Sequence, residues 1–252
     1  MPWNPQKYDQ FQVERSQPFH DLAALVTPRP SLRVIDLGCG TGELTATLLT
    51  TLPGCTILGI DTSAEMLANA TPRQTDRLRF EQADQAAISG EWDVVISNAA
   101  LQWTDNHPAL FAHIWQHIAP GGQLAVQMPS NHDSPAHQAI RTVAAMQPYA
   151  NQFAGWQRQS PVLPMEAYAH ILHKLGARQM DIHERIYPHI LDDAGAVLDW
   201  ISGTALLPYL ERIGSHRDAF LAEIRAQLEI EFPGSPVLYP FKRIFISARK
   251  PA

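Results

Sequence analysis

Cysteine is almost absent from this sequence: Cys39 and Cys55 are the only two. That excludes a disulfide framework and fits a reducing compartment. Long uncharged apolar runs are missing as well. No stretch of about 18 such residues occurs, so no membrane-spanning helix is expected. Met1-Pro2-Trp3-Asn4-Pro5 has no basic region followed by an apolar one, so no signal peptide is read and a cytoplasmic protein is expected. Positive charge is also short, with 19 Lys and Arg against 25 Asp and Glu, a formal net charge of −6. That leaves no broad basic face for nucleic acid, and an anionic ligand must be held by local arginines. His113 and His117 are four apart on an expected helix, but no third ligand and no HExxH accompany them, so no metal is expected. No Ser-His-Asp spacing stands out, and neither cysteine has a basic neighbour to activate it. Catalytic residues in the narrow sense are therefore not expected, and nothing implies an obligate protein partner.

What is present is a chain of 252 residues, 45% hydrophobic, enough for a substantial core. Its most informative stretch is Val34-Ile35-Asp36-Leu37-Gly38-Cys39-Gly40-Thr41-Gly42. Apolar residues frame an acid and three glycines follow two apart, which reads as a buried strand ending in a tight turn that feeds a helix. Such a turn lets a ligand approach the backbone, with the turn amides and helix N-terminus facing it. A dinucleotide fingerprint needs Gly-x-Gly-x-x-Gly, and Glu43 occupies the third glycine's place. The Gly-x-Gly-x-Gly spacing after Asp36 resembles motif I of the class I S-adenosylmethionine methyltransferases.

Strand and helix patterns alternate from there. The sequence predicts a helix over 5–26, strands over 32–37, 56–60, 78–81, 92–97 and 123–128, and helices over 42–51 and from Ser63, whose Ser-x-x-Met opening has a capping look. That alternation implies a parallel sheet with right-handed crossovers. After Pro129 the rhythm breaks. Residues 130–164 carry four prolines and no strand signal, 165–175 read as helix, 178–190 as a long strand, 192–232 as mostly helical and 237–249 as a strand. The expected organisation is an N-terminal helix plus nucleotide-binding core over 1–129, cap insertions over 130–164 and 191–236, and the rest of the sheet in 165–190 and 237–252.

Asp36, Gly38, Gly40 and Gly42 are the expected cofactor cradle. Asp61, ending the second strand, is placed to accept both ribose hydroxyls; nicotinamide enzymes use an acid in the same way, so this residue alone leaves the ligand open. In the methyltransferases that the first turn resembles, an acid after the third strand accepts the adenine amino group, and Asp84 holds that place. Asn98 ends the fourth strand at the crevice and would bond the methionine end of the cofactor. Trp103 would wall the methyl donor or pack as a core residue.

More specific sequence features extend over nearly the whole chain. Trp3-Asn4-Pro5, Glu14-Arg15-Ser16, Asp36-Leu37-Gly38-Cys39-Gly40, Gly59-Ile60-Asp61, Asn98-Ala99-Ala100-Leu101-Gln102-Trp103, Gln127-Met128-Pro129 and Arg243-x-Phe245-x-x-Ala248-Arg249 occur in this order. Together they resemble the trans-aconitate 2-methyltransferase family. The resemblance implies a Rossmann-like seven-stranded, mostly parallel sheet with a helical substrate cap. It implies methyl transfer from S-adenosylmethionine to a carboxylate of trans-aconitate, giving a monomethyl ester and S-adenosylhomocysteine. One departure stands out: Leu207-Pro208-Tyr209-Leu210 lies where the family pattern has Arg-Pro-Trp-Leu.

A carboxylate is already ionised at neutral pH, with a pKa near 4, so no general base is needed. Desolvating a polycarboxylate does need cations, and the arginine fork suits carboxylates. Arg15, Arg158 and Arg243 are the expected carboxylate partners, with Tyr8, Gln127 and Tyr239 beside them. The alternatives are a methyltransferase of another small acid or hydroxyl compound, and a nucleotide-binding regulator with no enzymatic activity.

Overall fold

A computed structural model describes residues 12–252, with side chains from residue 16 onward. In chain order, α1 (Gln12–Ala24) leads to β1 (Arg33–Leu37), α2 (Glu43–Thr51), β2 (Thr56–Asp61), α3 (Ala64–Ala70), β3 (Leu78–Gln82), β4 (Trp92–Asn98), α4 (His107–Gln116) and β5 (Ile118–Pro129). There follow α5 (Pro135–Ala144), α6 (Tyr149–Phe153), α7 (Met165–Lys174), β6 (Arg178–Leu191), α8 (Ala194–Ser202), α9 (Leu207–Leu210), α10 (Arg217–Glu231) and β7 (Val237–Arg249). The strands form one seven-stranded sheet in the order β3-β2-β1-β4-β5-β7-β6. β1 to β5 are mutually parallel, and β7 runs antiparallel to β5. The order reverses between β1 and β4, which puts a ligand crevice at the carboxyl ends of those two strands.

The apolar runs become central strands because both faces of a parallel sheet are covered. Val34, Ile35 and Leu37 in β1, and Val94, Val95 and Ile96 in β4, are all buried. One core layer joins Ile35, Val95, Leu124 and Val126 to Phe111 and Ile114 of α4 and Leu172 of α7. Phe111 is fully buried, and its loss to alanine would cost about 3–5 kcal/mol.

The chain divides into two units. Among the described residues, the core unit comprises residues 12–129, Pro161–Arg185 and Arg243–Ala252, and the helical unit comprises Ser130–Ser160 and Ile186–Lys242. Compared with the sequence expectation, the outer halves of β6 and β7 go with the helical unit. Their inward residues Tyr187, His189, Tyr239 and Phe241 alternate with exposed ones, and His189, Tyr239 and Phe241 meet the Trp200 ring of α8. A second aromatic group in this unit gathers Tyr149, Phe153, Tyr209 and Phe220.

Candidate active site

The turn after β1 is fastened before it meets any ligand. Gly38 N and Cys39 N both donate to Ile60 O at the end of β2, at 2.8 and 3.0 Å. All three motif glycines have positive φ, where side chains are strained. Their surroundings differ. A Cβ at Gly38 would overlap the Ala100 methyl, and one at Gly42 would overlap the Phe80 ring, so those two glycines are needed for packing. Nothing lies within 4 Å of a Cβ built at Gly40. The middle glycine is thus the one that opens the backbone outward.

Two acids support this turn. Asp61 accepts from Gly40 N through Oδ2 at 2.8 Å and from Ser63 N through Oδ1 at 2.9 Å. A carboxylate has about four lone-pair sites, so two amides leave room for two ribose hydroxyls. Asp36 is 2% exposed and accepts from Thr45 Oγ1 of α2 at 2.6 Å. Burial pushes its carboxyl up to about 7; the Thr45 hydroxyl pulls the other way, and the charge of Asp61 adds to the rise. Cys39, beside both acids, is driven well above the ordinary thiol range, first by burial, and is not a nucleophile.

At the end of β4, Ala99 takes φ 53°, a left-handed conformation rare for a residue with a Cβ, while its amide donates to Gln127 O of β5. Such strain marks functional sites. Asn98 and Gln127 are register partners on these two strands. Among the described residues, Asn98 Oδ1, Gln102 Oε1 and Gln127 Nε2 are buried without a hydrogen-bond partner. Gln127 Oε1 accepts from Arg243 at 3.2 Å, and Arg243 is itself buried. Unsatisfied buried polar atoms are costly and rare, so these three, at the ends of β4 and β5 and in the turn after β4, mark a candidate ligand surface. An acceptor pair suits an ammonium, and the cradle at Gly40 suits a nucleoside, so these residues fit S-adenosylmethionine.

Behind this edge, His107 of α4 anchors the turn that carries Trp103. His107 Nε2 donates to Leu101 O at 3.0 Å, Tyr168 OH donates to His107 Nδ1 at 2.5 Å, and Leu163 N donates to the same hydroxyl at 3.0 Å. Every polar atom in this chain is satisfied by a neutral ring, and burial lowers the imidazole's affinity for a proton. His107 is a positioning residue, not a base.

Comparison with known proteins now bears on the chemistry. A methyltransferase-domain family model matches residues 10–179. The chain is 45% identical over 258 aligned positions to a trans-aconitate 2-methyltransferase of Deinococcus radiodurans, covering 100% of this chain and 99% of that one. It is 36% identical to a trans-aconitate 2-methyltransferase of Azoarcus sp., with 98% of each covered. The chain belongs to the trans-aconitate 2-methyltransferase family. As a member of that family it is an S-adenosylmethionine-dependent methyltransferase with a small-molecule substrate. The fold agrees: the solved phosphoethanolamine N-methyltransferase 2 of Haemonchus contortus, in complex with S-adenosyl-L-methionine, superposes with a TM-score of 0.56 at 18% identity, covering 94% of this chain and 52% of that one.

Set against this family, the structure gathers Asp36, Gly38, Gly40, Gly42, Asp61 and Asn98 along the carboxyl ends of β1, β2 and β4. Asp84 is exposed and caps the short turn Gln85–Ala87, accepting from Ala86 N at 2.7 Å. Trp103 is 53% exposed, which removes its reading as a core residue. Gln127 and Arg243 meet in the core unit. Arg158 and Tyr239 belong to the helical unit, where Arg158 donates to Ala205 O at 3.1 Å and Tyr239 is buried among aromatics. Tyr8 lies outside the described residues, and of Arg15 only the backbone, in α1, is described. His113 and His117 form an edge-on ring pair, with His117 Nδ1 donating to Gly90 O; no group of three metal-ligating side chains exists among the described residues. No helix among them is long and apolar enough to cross a membrane.

Sequence reasoning missed Gln102 and Ala99 as site features, though both lie inside a quoted family motif.

Proposed function

We propose that this chain transfers the methyl of S-adenosylmethionine to a carboxylate of trans-aconitate, giving a monomethyl ester and S-adenosylhomocysteine. One observation carries the substrate class: Arg243 and the Gln127 amide place N–H donors together in a buried setting beside the cofactor edge. Carboxylates only accept, so a donor set of this kind matches an acid better than an alcohol, which would also need a base. The names of the full-length relatives support trans-aconitate in particular.

When bound, the cofactor supplies a methyl group on a positively charged sulfur. The chain's own residues do the rest. Asp61, fixed by the Gly40 amide, holds the nucleoside end, and Asp84 takes the adenine amino group. Asn98 and Gln102 turn their acceptors to the amino-acid end. Trp103 walls the methyl. Arg243 and Gln127 hold a carboxylate within the core unit, and Arg15, Arg158, Tyr8 and Tyr239 remain the further carboxylate partners expected from the sequence. The attacking oxygen carries no proton at neutral pH, so alignment replaces general-base catalysis, and in-line positioning is the main source of rate.

Methyl transfer from labelled cofactor across a panel of di- and tricarboxylates tests the reading. Trans-aconitate should give the highest kcat/KM and a base-labile ester; label passing only to hydroxyl compounds, or to no acid, overturns it. A second acid as the preferred substrate is favoured by Leu207, 43% exposed, where the family pattern carries Arg. We also propose a cytoplasmic setting with no nucleic-acid or obligate protein partner, on the strength of two free thiols and a net charge of −6.

A further inference from the structure

The helical unit contains a basic cluster that neither the fold nor the cofactor requires. Asn131 ties the start of this segment to β7, donating to Lys242 O and accepting from Lys242 N, each at 2.8 Å. Ser134 then caps α5, which begins at Pro135 and carries His137 and Arg141 one turn apart. Arg141 NH1 donates to His132 O at 2.5 Å, and its other nitrogen is 4.0 Å from Asp133, an acid whose side chain is 90% exposed. Arg158 approaches from the segment after α6. Its guanidinium donates to Ala205 O at 3.1 Å and Thr204 O at 3.4 Å, and its backbone N–H donates to the buried Tyr209 hydroxyl. Tyr209 in turn stands edge-on to Trp156, whose ring carries Arg212 at 4.2 Å. Backbone carbonyls thus hold the guanidinium groups of Arg141 and Arg158, and the charges of both act on the His137 ring.

We propose that His137, Arg141 and Arg158 form a polycarboxylate recognition site in which His137 takes up a proton as the anion binds. The inference rests on the reading of the substrate as a polycarboxylate, and it adds the charge logic of its recognition. The groups acting on His137 are Arg158 and Arg141, then His132, with Asp133 opposing them; together with burial they hold the ring neutral down to about pH 4. The helices packed on α5 add no buried charge: α6 buries Tyr149 and Phe153, α8 buries Ala194, Val197, Trp200 and Ile201, and α10 buries Phe220, Ile224 and Leu228. A bound polyanion reverses the local field and favours the protonated ring. The Ser134 hydroxyl, 2.9 Å from Nδ1, partners either state: it donates to the neutral nitrogen and accepts from the protonated one. Three positive charges then face a trianion. The monoester product carries one negative charge fewer and matches the cluster with His137 neutral again, so the proton leaves with the product.

Calorimetric titration of the protein saturated with S-adenosylhomocysteine decides this, using trans-aconitate and tricarballylate as probes at pH 6.5 in two amine or sulfonate buffers of different ionisation enthalpy. The wild type should take up close to one proton per anion, falling toward zero only below about pH 4, where the free ring is already protonated. His137→Gln should abolish the uptake and weaken binding about 5-fold. Arg141→Ala and Arg158→Ala should each weaken anion binding at least tenfold with S-adenosylhomocysteine affinity within twofold, while Arg158→Lys, which keeps charge and fold, should lose less. Unchanged anion affinity in both arginine variants, or undiminished proton uptake in His137→Gln, overturns the proposal. If the wild type binds tricarballylate with this dependence but methylates no acid, the substrate reading falls and the site stands. If trans-aconitate is methylated with all three variants unaffected, the site falls and the reading stands. If no polycarboxylate binds, both fall.

Discussion

In the core unit the buried ionisable group beside the glycine turn is an acid, Asp36, and the charge that disturbs it is another acid, Asp61. In the helical unit the corresponding group is a base, His137, and the charges that disturb it most are Arg158 and Arg141. Around each of these two groups the nearest charge has the group's own sign, and each is strained by it. The signs divide as the ligands do: the cofactor brings a sulfonium and an ammonium, the proposed substrate brings carboxylates. On the proposed assignment, each cluster carries in advance the local field that its ligand would neutralise, which favours electrostatic preorganisation over rearrangement at the moment of reaction.

Arg243 is the instructive exception, a buried base in the core unit at the point where the chain returns from the helical one. If it serves the substrate, Arg243→Ala leaves a carboxylate desolvated and unpaired at a cost of roughly 2–5 kcal/mol. The expected outcome is a loss of about 30-fold or more in kcat/KM for trans-aconitate, with Lys rescuing in part because it keeps the charge without the fork. S-Adenosylhomocysteine affinity should hold; a parallel loss of cofactor affinity would move Arg243 to the cofactor's side of the comparison.

A smaller effect is expected on that side. Asp61→Ala removes the acceptor of the Gly40 and Ser63 amides together with any ribose bonds, and cofactor affinity should fall by roughly 1.5–3 kcal/mol. Asp61→Asn should cost less. Titration of S-adenosylhomocysteine measures both, and an undiminished affinity in the Ala variant breaks the assignment.

The smallest effect tests the opposed signs directly, through stability without ligand. Asp36 binds its proton more tightly folded than unfolded, so its contribution is complete below its unfolded pKa of 3.8 and is lost as pH rises toward about 7. His137 binds its proton less tightly folded, so its contribution is present above its unfolded pKa of 6.5 and is lost as pH falls toward about 4. The two slopes, each up to about 1.4 kcal/mol per pH unit, oppose each other between pH 4 and 6.5. Denaturant unfolding should therefore show Asp36→Asn gaining stability as pH rises through that window relative to wild type, and His137→Gln the reverse. Parallel profiles for both variants would mean that neither group is titrating as described.

The sequence made the cofactor half of this comparison legible and most of the other half not. β1, β2 and β4 are apolar runs closed by Asp or Asn and a turn, and that pattern survives in the fold almost residue for residue. β5 begins at Ile118, five residues before its expected start, because Pro120-Gly121-Gly122 reads as a turn but forms a bulge within the strand, with Trp92 and Val94 pairing to Ile118 and Gln123. Pro135 reads as a breaker, yet as the first residue of α5 behind the Ser134 cap it starts a helix. His137 and Arg141 were hidden by that misreading, since their spacing has meaning only once the segment is helical. The polar atoms of Asn98 and Gln127 were nameable from motif membership, but their convergence depends on register between β4 and β5, which no local pattern encodes.

β7 is paired to β5 from Arg243 to Arg249, and its preceding half alternates buried Val237, Tyr239 and Phe241 with exposed Leu238, Pro240 and Lys242. Side-chain direction along a strand has a period of two, so the paired half dictates the parity of the half before it. One added or deleted residue between Phe241 and Arg243 would turn the tyrosine and phenylalanine outward and bring proline and lysine inward. Substitution is therefore the change this stretch tolerates, and length variation among relatives should collect in the loops instead.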